Sequence, residues 1–273
     1  MRILLLSFIT VLSLTFCRET AAKDQAIIDE TKLYKATTVD ECIEEKECVW
    51  YHLLLATQKN INPKEISNNI ALSKWTDNDN VRIRIIGKEV ELPKEKYENY
   101  INQISPYFPP DISINKQFNF VIVETDDIEK ELNGEFKEIA LRTLAKDKKL
   151  QKNGIIKVDK KAQCYNFYYV SDQKPKPIFG YFSFIKRGSQ KDMESCLKEM
   201  IYEGSGLSSI YESPLYKDQR FLSKYSNLEL FILYLFYNDN IKPDMSAKEL
   251  KQAFDKIYQP SLDYFKKQKN MQP

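Results

Sequence analysis

Two carboxylates, Glu199 and Glu203, stand four residues apart in the stretch Cys196-Leu197-Lys198-Glu199-Met200-Ile201-Tyr202-Glu203-Gly204-Ser205-Gly206-Leu207. On a helix this spacing puts both on one face. Such a pair can clamp a hard cation, move a proton as acid and base, or simply pair with Lys and Arg. Gly204-Ser205-Gly206 is neither a phosphate loop nor a nucleophile elbow, and reads as a helix end with a left-handed glycine. His52 follows Cys48 by four residues, close on a helix. A nucleophilic Cys–His pair needs a third group to orient the imidazole; none is evident, so a structural or surface role is expected for His52. Tyr165, Phe167 and Tyr169 alternate along the chain. Exposed, they would make a stacking platform for bases or sugars; ordinary sheet packing of aromatics is far commoner.

Composition narrows the chemistry. The chain has 273 residues, room for one domain of roughly 200 residues with flanks, or two small domains. Lys+Arg number 41 and Asp+Glu 39, a net charge of +2, so no strong field favours a polyanion and no nucleic-acid partner is expected. There is one histidine, which excludes any site built on two imidazoles, the ordinary His–His zinc hydrolase included. Only seven glycines are present, which excludes Gly-rich repeat architectures.

Met1-Arg2 is followed by an apolar run from Ile3 to Phe16. It is short for a membrane span, which needs ~20 residues, and right for a signal-peptide core. Residues 1–16 are therefore expected to be a signal peptide and the protein to be exported. Two cleavage sites compete. Leu14-Thr15-Phe16-Cys17 resembles a lipobox, in which Cys17 becomes lipidated and N-terminal. Alternatively, cleavage falls after Ala22 in Thr20-Ala21-Ala22. Five cysteines are odd for an exported chain, and a thioether at Cys17 leaves four that can pair. This favours a cell-envelope lipoprotein, in the periplasm or at the cell surface, held to the membrane by its N-terminal lipid. Residues 17–38 are polar and read as a tether.

These groups need a scaffold. Ile43, Val49, Trp50, Leu53 and Leu54 give 39–56 a helical stripe, and a second short helix is expected over 64–72. Residues 81–87 alternate at period two, a half-buried strand. Pro93 opens a helix over 94–105; 117–124 is a strand; 133–150 reads as a helix with Phe136, Ile139, Ala140 and Leu144 inward and the basic cluster 146–149 at its end. Aromatic-rich strands follow at 163–170 and 178–185, then a helix over 191–202 starting near Ser189. Residues 227–237 form a buried helix capped by Ser226. Ser246 and Glu249 make a capping box for a last helix to about 258. This order reads as α+β, one mixed sheet with helices packed on it.

Four of these stretches together resemble a known family. Leu72-Ser73-Lys74-Trp75 followed by Val81-Arg82-Ile83-Arg84-Ile85-Ile86-Gly87 resembles the opening "basic-Trp, then strand ending in Gly" of the bacterial family called domain of unknown function 2927, found in secreted proteins and lipoproteins. Residues 196–207 resemble its Cys-Leu-x-Glu-Glu-x-x-Gln-x-x-Gly signature. Leu228 to Tyr237 and then Ile241-Lys242-Pro243-Asp244-Met245-Ser246 resemble its Leu-x-Leu-Tyr-x-x-x-x-x-Pro-Gly-Met-Ser close. The likeness runs from about Trp50 to Phe254. Met200, Glu203 and Asp244 depart from it, standing where the family has Glu, Gln and Gly.

The signature can be set against the zinc-protease pattern His-Glu-x-x-His-x-x-Gly. Glu199 then falls at the first His, Met200 at the catalytic Glu, Glu203 at the second His and Gly206 at the Gly. The 228–237 helix is similar to the C-terminal helix of matrixin-type zinc proteases. The resemblance thus implies a zincin-like fold, a twisted mixed sheet with an active-site helix beneath it, over 39–273 with an N-terminal helical extension. Met200 cannot take a proton, and Ser209, at the spacing of a third histidine, is a weak donor. No metal, cofactor or proteolysis is expected of this ligand set. The expected work is binding or scaffolding, with an envelope protein or polymer as partner. One alternative is an acid–base or divalent-cation-assisted hydrolase of envelope polymers using Glu199 and Glu203; another is an adhesin using the aromatic strands.

The resemblance also implies a Cys164–Cys196 disulfide, because the family carries a cysteine at the second position and the zincin-like fold brings strand and helix together. Cys42 and Cys48 are left to pair with each other. Six residues apart on a regular helix they do not share a face, so that bridge requires a break between them.

Overall fold

A computed structural model of the chain describes residues 34–57, 72–75, 80–87, 90–114, 118–138, 151–152, 155–156, 158–170, 178–208, 210, 213–216 and 222–270. Helices α1 (Val39–Glu44) and α2 (Lys46–Thr57) precede strand β1 (Asn80–Ile86). Helix α3 (Lys94–Ile104) and a 3-10 turn (Ser105–Tyr107) lead to β2 (Asp111–Ile114) and β3 (Phe120–Thr125). Helix α4 (Ile128–Asn133) and a small ribbon of β4 (Gln151–Lys152) and β5 (Ile155–Ile156) come before β6 (Cys164–Val170) and β7 (Ile178–Lys186). Then follow α5 (Gln190–Gly204), a 3-10 turn (Pro214–Tyr216), α6 (Asn227–Phe236) and α7 (Ala247–Asn270).

Five strands form one mixed sheet in the order β2-β1-β3-β7-β6. The β2–β1, β1–β3 and β3–β7 pairings are parallel, and β6 runs antiparallel to β7 at one edge. The architecture is therefore α+β. Parallel strands need cover on both faces, and β3 is buried at every position. Alternation sorts the side chains. Ile83, Phe120, Ile122, Tyr181 and Ile185 face the main core with α2, α3, α5, α6 and α7. Val121, Val123, Phe182, Phe184 and Phe167 face a smaller core closed by Ile128 and Leu132 of α4 and by Phe136.

Helix α6, rich in Leu, Ile and Phe, is buried around most of its circumference. It packs against α1, α2 and α7. Ser226 and Glu229 close a capping box at its start, satisfying two backbone donors that no helical carbonyl can reach.

Several boundaries differ from the sequence reading. Residues 39–57 are two helices, broken at Glu45, whose backbone is extended (φ −104°, ψ 104°). The Glu45 carboxylate accepts from the Lys35 and Ala36 N–H groups at 2.8 Å each, which ties these two residues to the helix break. The helix expected over 133–150 begins later than read: a separate helix, α4, ends at Asn133, Gly134 caps it, 134–136 form a turn, and residues 137–138 are helical again. Asn133-Gly134 is a stop signal, and the start lies at Asp127, whose side chain accepts from Lys130 N–H. Residues 139–150 and 58–71 lie outside the described residues; Leu72, the end of the expected 64–72 helix, is not helical. Strand β2 was not anticipated, being four residues long and directly behind Pro109-Pro110. Helix α7 runs twelve residues beyond Tyr258, through Pro260. Its apolar stripe continues past the proline with Leu262 and Phe265, and Lys256, whose carbonyl Pro260 cannot serve, is exposed.

Two backbone positions carry sharp expectations. A Cβ on Gly204 would overlap the ring of Phe120, which is buried edge-on against Tyr181. Gly204→Ala is expected to destabilise by about 1–3 kcal/mol through overpacking, read as a lower urea midpoint. Asp244 is non-glycine at φ 62°, and its Oδ2 is buried without a hydrogen-bond partner. Asp244→Gly removes left-handed strain and is expected to stabilise by roughly 0.5–1 kcal/mol, read as a Tm rise of about 1–4 °C.

Candidate functional site

Helix α5 positions the two carboxylates. Ser189 caps it, its side chain accepting from Asp192 N–H, and its buried set, Met193, Cys196, Leu197, Met200, Ile201, Tyr202 and Gly204, leaves it little solvent face. Glu199 and Glu203 are half-buried. Period two on β6 places Cys164, Asn166 and Tyr168 over α5. The pairing is direct. Cys164 is disulfide-bonded to Cys196, with Cα atoms 5.7 Å apart. Asn166 Nδ2 donates to the Glu203 carboxylate. Tyr168 Oη donates to the Glu203 carbonyl and lies 3.1 Å from that of Leu207.

The groups around the carboxylates are phenols, an amide and a thioether. Tyr181 Oη points to Met200 Sδ at 3.4 Å, and Met200 is buried. Burial pushes the Tyr181 hydroxyl well above its ordinary pKa, and the negative charges of Glu203 and Glu199 add to the shift. Burial and Glu203 do the same to Tyr168. Both phenols stay protonated and serve as hydrogen-bond donors. Among the described residues the arrangement offers oxygen donors, suited to a hard cation or a polar ligand, and no imidazole or thiolate.

The end of α5 is held from three directions. Trp75 Nε1 donates to the Gly204 carbonyl at 2.7 Å. Tyr237 Oη donates to that of Ser205 at 2.6 Å. Tyr168 supplies the third donor. Gly206 has φ +102° and its N–H returns to the Glu203 carbonyl at 2.8 Å, the left-handed helix end read from the sequence. Next to it, Lys74 Nζ donates to the Ile241 carbonyl at 2.5 Å and lies 4.8 Å from the Phe236 ring centre. The Asp244 N–H meets the Leu72 carbonyl at 3.3 Å. The stretches 72–75, 199–207, 228–237 and 241–246 thus meet in space.

A buried ion pair lies on another side of α5. Lys198 Nζ is 3.7 Å from Glu229 Oε2, both side chains 1% exposed. Burial lowers the lysine's pKa and Glu229 partly restores it. Tyr225 Oη donates to the Lys198 carbonyl at 2.7 Å, and Tyr202 Oη to that of Glu229 at 3.2 Å. The sequence reading missed this pair, and also Asn166 and Tyr168. The first has no local signal, since its partners are 31 positions apart in different helices; the others are the period-two neighbours of Cys164.

The remaining candidates fall as follows. Cys42 and Cys48 are disulfide-bonded, with Cα atoms 5.3 Å apart, and the helix break that the bridge requires is the extended residue Glu45. His52 is fully buried. Its Nδ1 is 2.8 Å from the Cys48 carbonyl, which can only accept, so the proton sits there; Nε2, 2.8 Å from Ser213 Oγ, accepts. Phe167 is buried and stacks on Phe182 at 5.1 Å, with Tyr165 packed against the same core. This removes the exposed aromatic platform at those two positions; the Tyr169 side chain is outside the described residues. So are Cys17 and Ser209. A cleft of about 860 Å³ lies on the α4 side of the sheet, lined by Asp126, Glu129, Lys130, Lys137, Asp159 and Lys186 among others. Its mixed charge selects no ligand class. No described helix is long and apolar enough to cross a membrane. No family model, curated protein or solved structure matches the chain.

Burial lowers the pKa of His52 from 6.5 to about 4, while the bond to the Cys48 carbonyl opposes the shift. The folded chain therefore keeps this imidazole neutral where the unfolded chain protonates it. Its contribution to stability is complete above pH 6.5 and is lost as pH falls toward 4, by roughly 3 kcal/mol. Urea unfolding should show the stability difference between the parent and His52→Gln shrinking by about that amount between pH 7 and pH 4.

Proposed function

We propose that this chain is an exported, lipid-anchored protein of the cell envelope whose zincin-like domain does not cleave peptides and acts by binding or scaffolding. One observation carries the reading. The position of the catalytic glutamate in the protease pattern is Met200, buried against Tyr181, and the position of the second histidine is Glu203, engaged by Asn166. A zinc hydrolase needs nitrogen or sulfur donors and a base beside the bound water; these residues supply neither.

The fold supports the kinship with the domain-of-unknown-function-2927 family and with zincins. A mixed sheet carries one antiparallel edge strand, and the signature helix α5, which follows β7, packs on one of its faces. The segments behind the resemblance converge on the end of that helix. Asp244, standing where the family has glycine, adopts a positive φ, a conformation that glycine reaches most easily. Export and lipidation rest on the leader-like residues 1–16 and on Cys17. The two disulfides that use up the other four cysteines favour an oxidising compartment.

The hydrolase alternative rests on Glu199 and Glu203. As i, i+4 neighbours they lie on the same helix face, whereas glycoside cleavage places its two carboxyl groups on either side of the scissile bond. This weighs toward binding.

Purified full-length protein, supplied with Zn²⁺ or Ca²⁺ and offered peptide and envelope-polymer substrates, is expected to give no more product than Glu203→Ala. Stoichiometric zinc together with cleavage abolished by Glu203→Ala overturns the reading. Mass spectrometry of the mature N-terminus is expected to find lipid on Cys17; a free N-terminus at Lys23 would replace the lipid anchor by simple secretion.

A further inference from the structure

The bridge between Cys42 and Cys48 has a third member. His52 Nδ1 lies 3.6 Å from Cys42 Sγ and 3.7 Å from Cys48 Sγ. All three residues are fully buried. Among the described residues this is the group of three metal-ligating side chains whose donor atoms approach one another within 4.8 Å. The local fold explains the closeness. Cys48 and His52 are one helical turn apart on α2, and the break at Glu45 folds the end of α1 back so that Cys42 meets them.

These distances have a chemical meaning. With Zn–S bonds of ~2.3 Å and Zn–N bonds of ~2.0 Å, a tetrahedral ion separates a sulfur from an imidazole nitrogen by about 3.5 Å. Both Sγ···Nδ1 separations are already near that value, while the two sulfurs, now bonded to each other, must part to about 3.8 Å to share the ion. The outer shell is also present: the far nitrogen, Nε2, is 2.8 Å from Ser213 Oγ, and a metal-bound imidazole commonly donates its other N–H to such a group. The 3-10 turn that follows Ser213 holds it in place, the Tyr216 N–H bonding back to the Ser213 carbonyl at 2.9 Å.

We infer that Cys42, Cys48 and His52 form a latent Zn²⁺ site, closed while the bridge is oxidised and opened when a thiol or phosphine reductant breaks it. The chemistry balances. A phosphine attacks one sulfur and breaks the sulfur–sulfur bond; water then yields the phosphine oxide and supplies the protons, leaving two thiols. Zn²⁺ replaces both thiol protons, which go to solvent. The imidazole passes its proton from Nδ1 to Nε2, where Ser213 Oγ accepts the new N–H, and the freed Nδ1 lone pair makes the third bond, a water molecule taking the fourth. The Cys48 carbonyl loses its hydrogen bond in the exchange. The site is separate from the Glu199–Glu203 face and does not depend on the function proposed for it.

The test uses the full-length chain, a phosphine reductant, one equivalent of Zn²⁺ and iodoacetamide, with each cysteine read by peptide mass spectrometry. Zinc is expected to slow alkylation of Cys42 and Cys48 by about tenfold or more while leaving Cys164 and Cys196 unchanged. His52→Gln should abolish that protection, and Ser213→Ala should weaken zinc affinity by about 10–100-fold. Four outcomes overturn the inference: a bridge that stays closed under the phosphine, equal alkylation of Cys42 and Cys48 with and without zinc, protection spread over all four cysteines, or undiminished protection in His52→Gln. The parent protein alone decides the first three, so the inference stays testable if a variant fails to fold.

Discussion

The last turn of an α-helix leaves carbonyls that no helical N–H can reach, and in this protein the fold converges on satisfying them. Helix α5 ends inside the molecule, at Gly204, under the sheet and beside α6. Solvent cannot serve its carbonyls there. Trp75, Tyr168 and Tyr237, from three distant parts of the chain, each donate to one of them. A buried unsatisfied carbonyl costs about 1–3 kcal/mol; Trp75 and Tyr237 prevent that at Gly204 and Ser205, while at Glu203 Tyr168 joins the Gly206 N–H. They also need close approach, which Gly204 provides against Phe120 and Gly206 provides through its positive φ against the Ser73 carbonyl. The aromatic hydroxyls and the indole therefore act as structural donors.

This constraint explains why the residues that look most like a motif are the ones that lock the fold. Leu72-Ser73-Lys74-Trp75 is a clamp: Trp75 holds α5, Lys74 holds the Ile241 carbonyl, and Leu72 receives the Asp244 N–H. Leu228 to Tyr237 is the buried helix whose final tyrosine returns to Ser205. Such positions are restricted by geometry before any chemistry is asked of them. The carboxylate of Glu203 stands on the helix face toward β6, where the Asn166 amide donates to it.

The sequence made the regular elements legible where one period dominated. Strands β1, β3, β6 and β7 and helices α3, α5, α6 and the start of α7 follow from alternation, caps and apolar stripes. Legibility failed where a short element carried too few residues to establish a period, as in β2 and α4, and where tertiary contact overrode a local breaker, as at Pro260 in α7. Spacing alone required a break between Cys42 and Cys48 but did not say which residue would supply it; Glu45 does so because its carboxylate turns back to the Lys35 and Ala36 N–H groups. The candidate site was half readable. Glu199 and Glu203 came from their spacing. Asn166 and Tyr168 came into view only with the strand–helix pairing, and the Lys198–Glu229 pair only with the packing of α5 on α6.

The Cys164–Cys196 bridge joins the exposed border of the sheet to the first half of α5. Strand and helix lie on either side of Glu203, whose carboxylate Asn166 reaches directly, and the bridge fixes their separation once it has formed. β6 is an edge strand, the kind of element that can slip in register or pair with another sheet. Tied to α5, it cannot peel away without dragging the helix from the core, so the border most open to mispairing shares the stability of the interior.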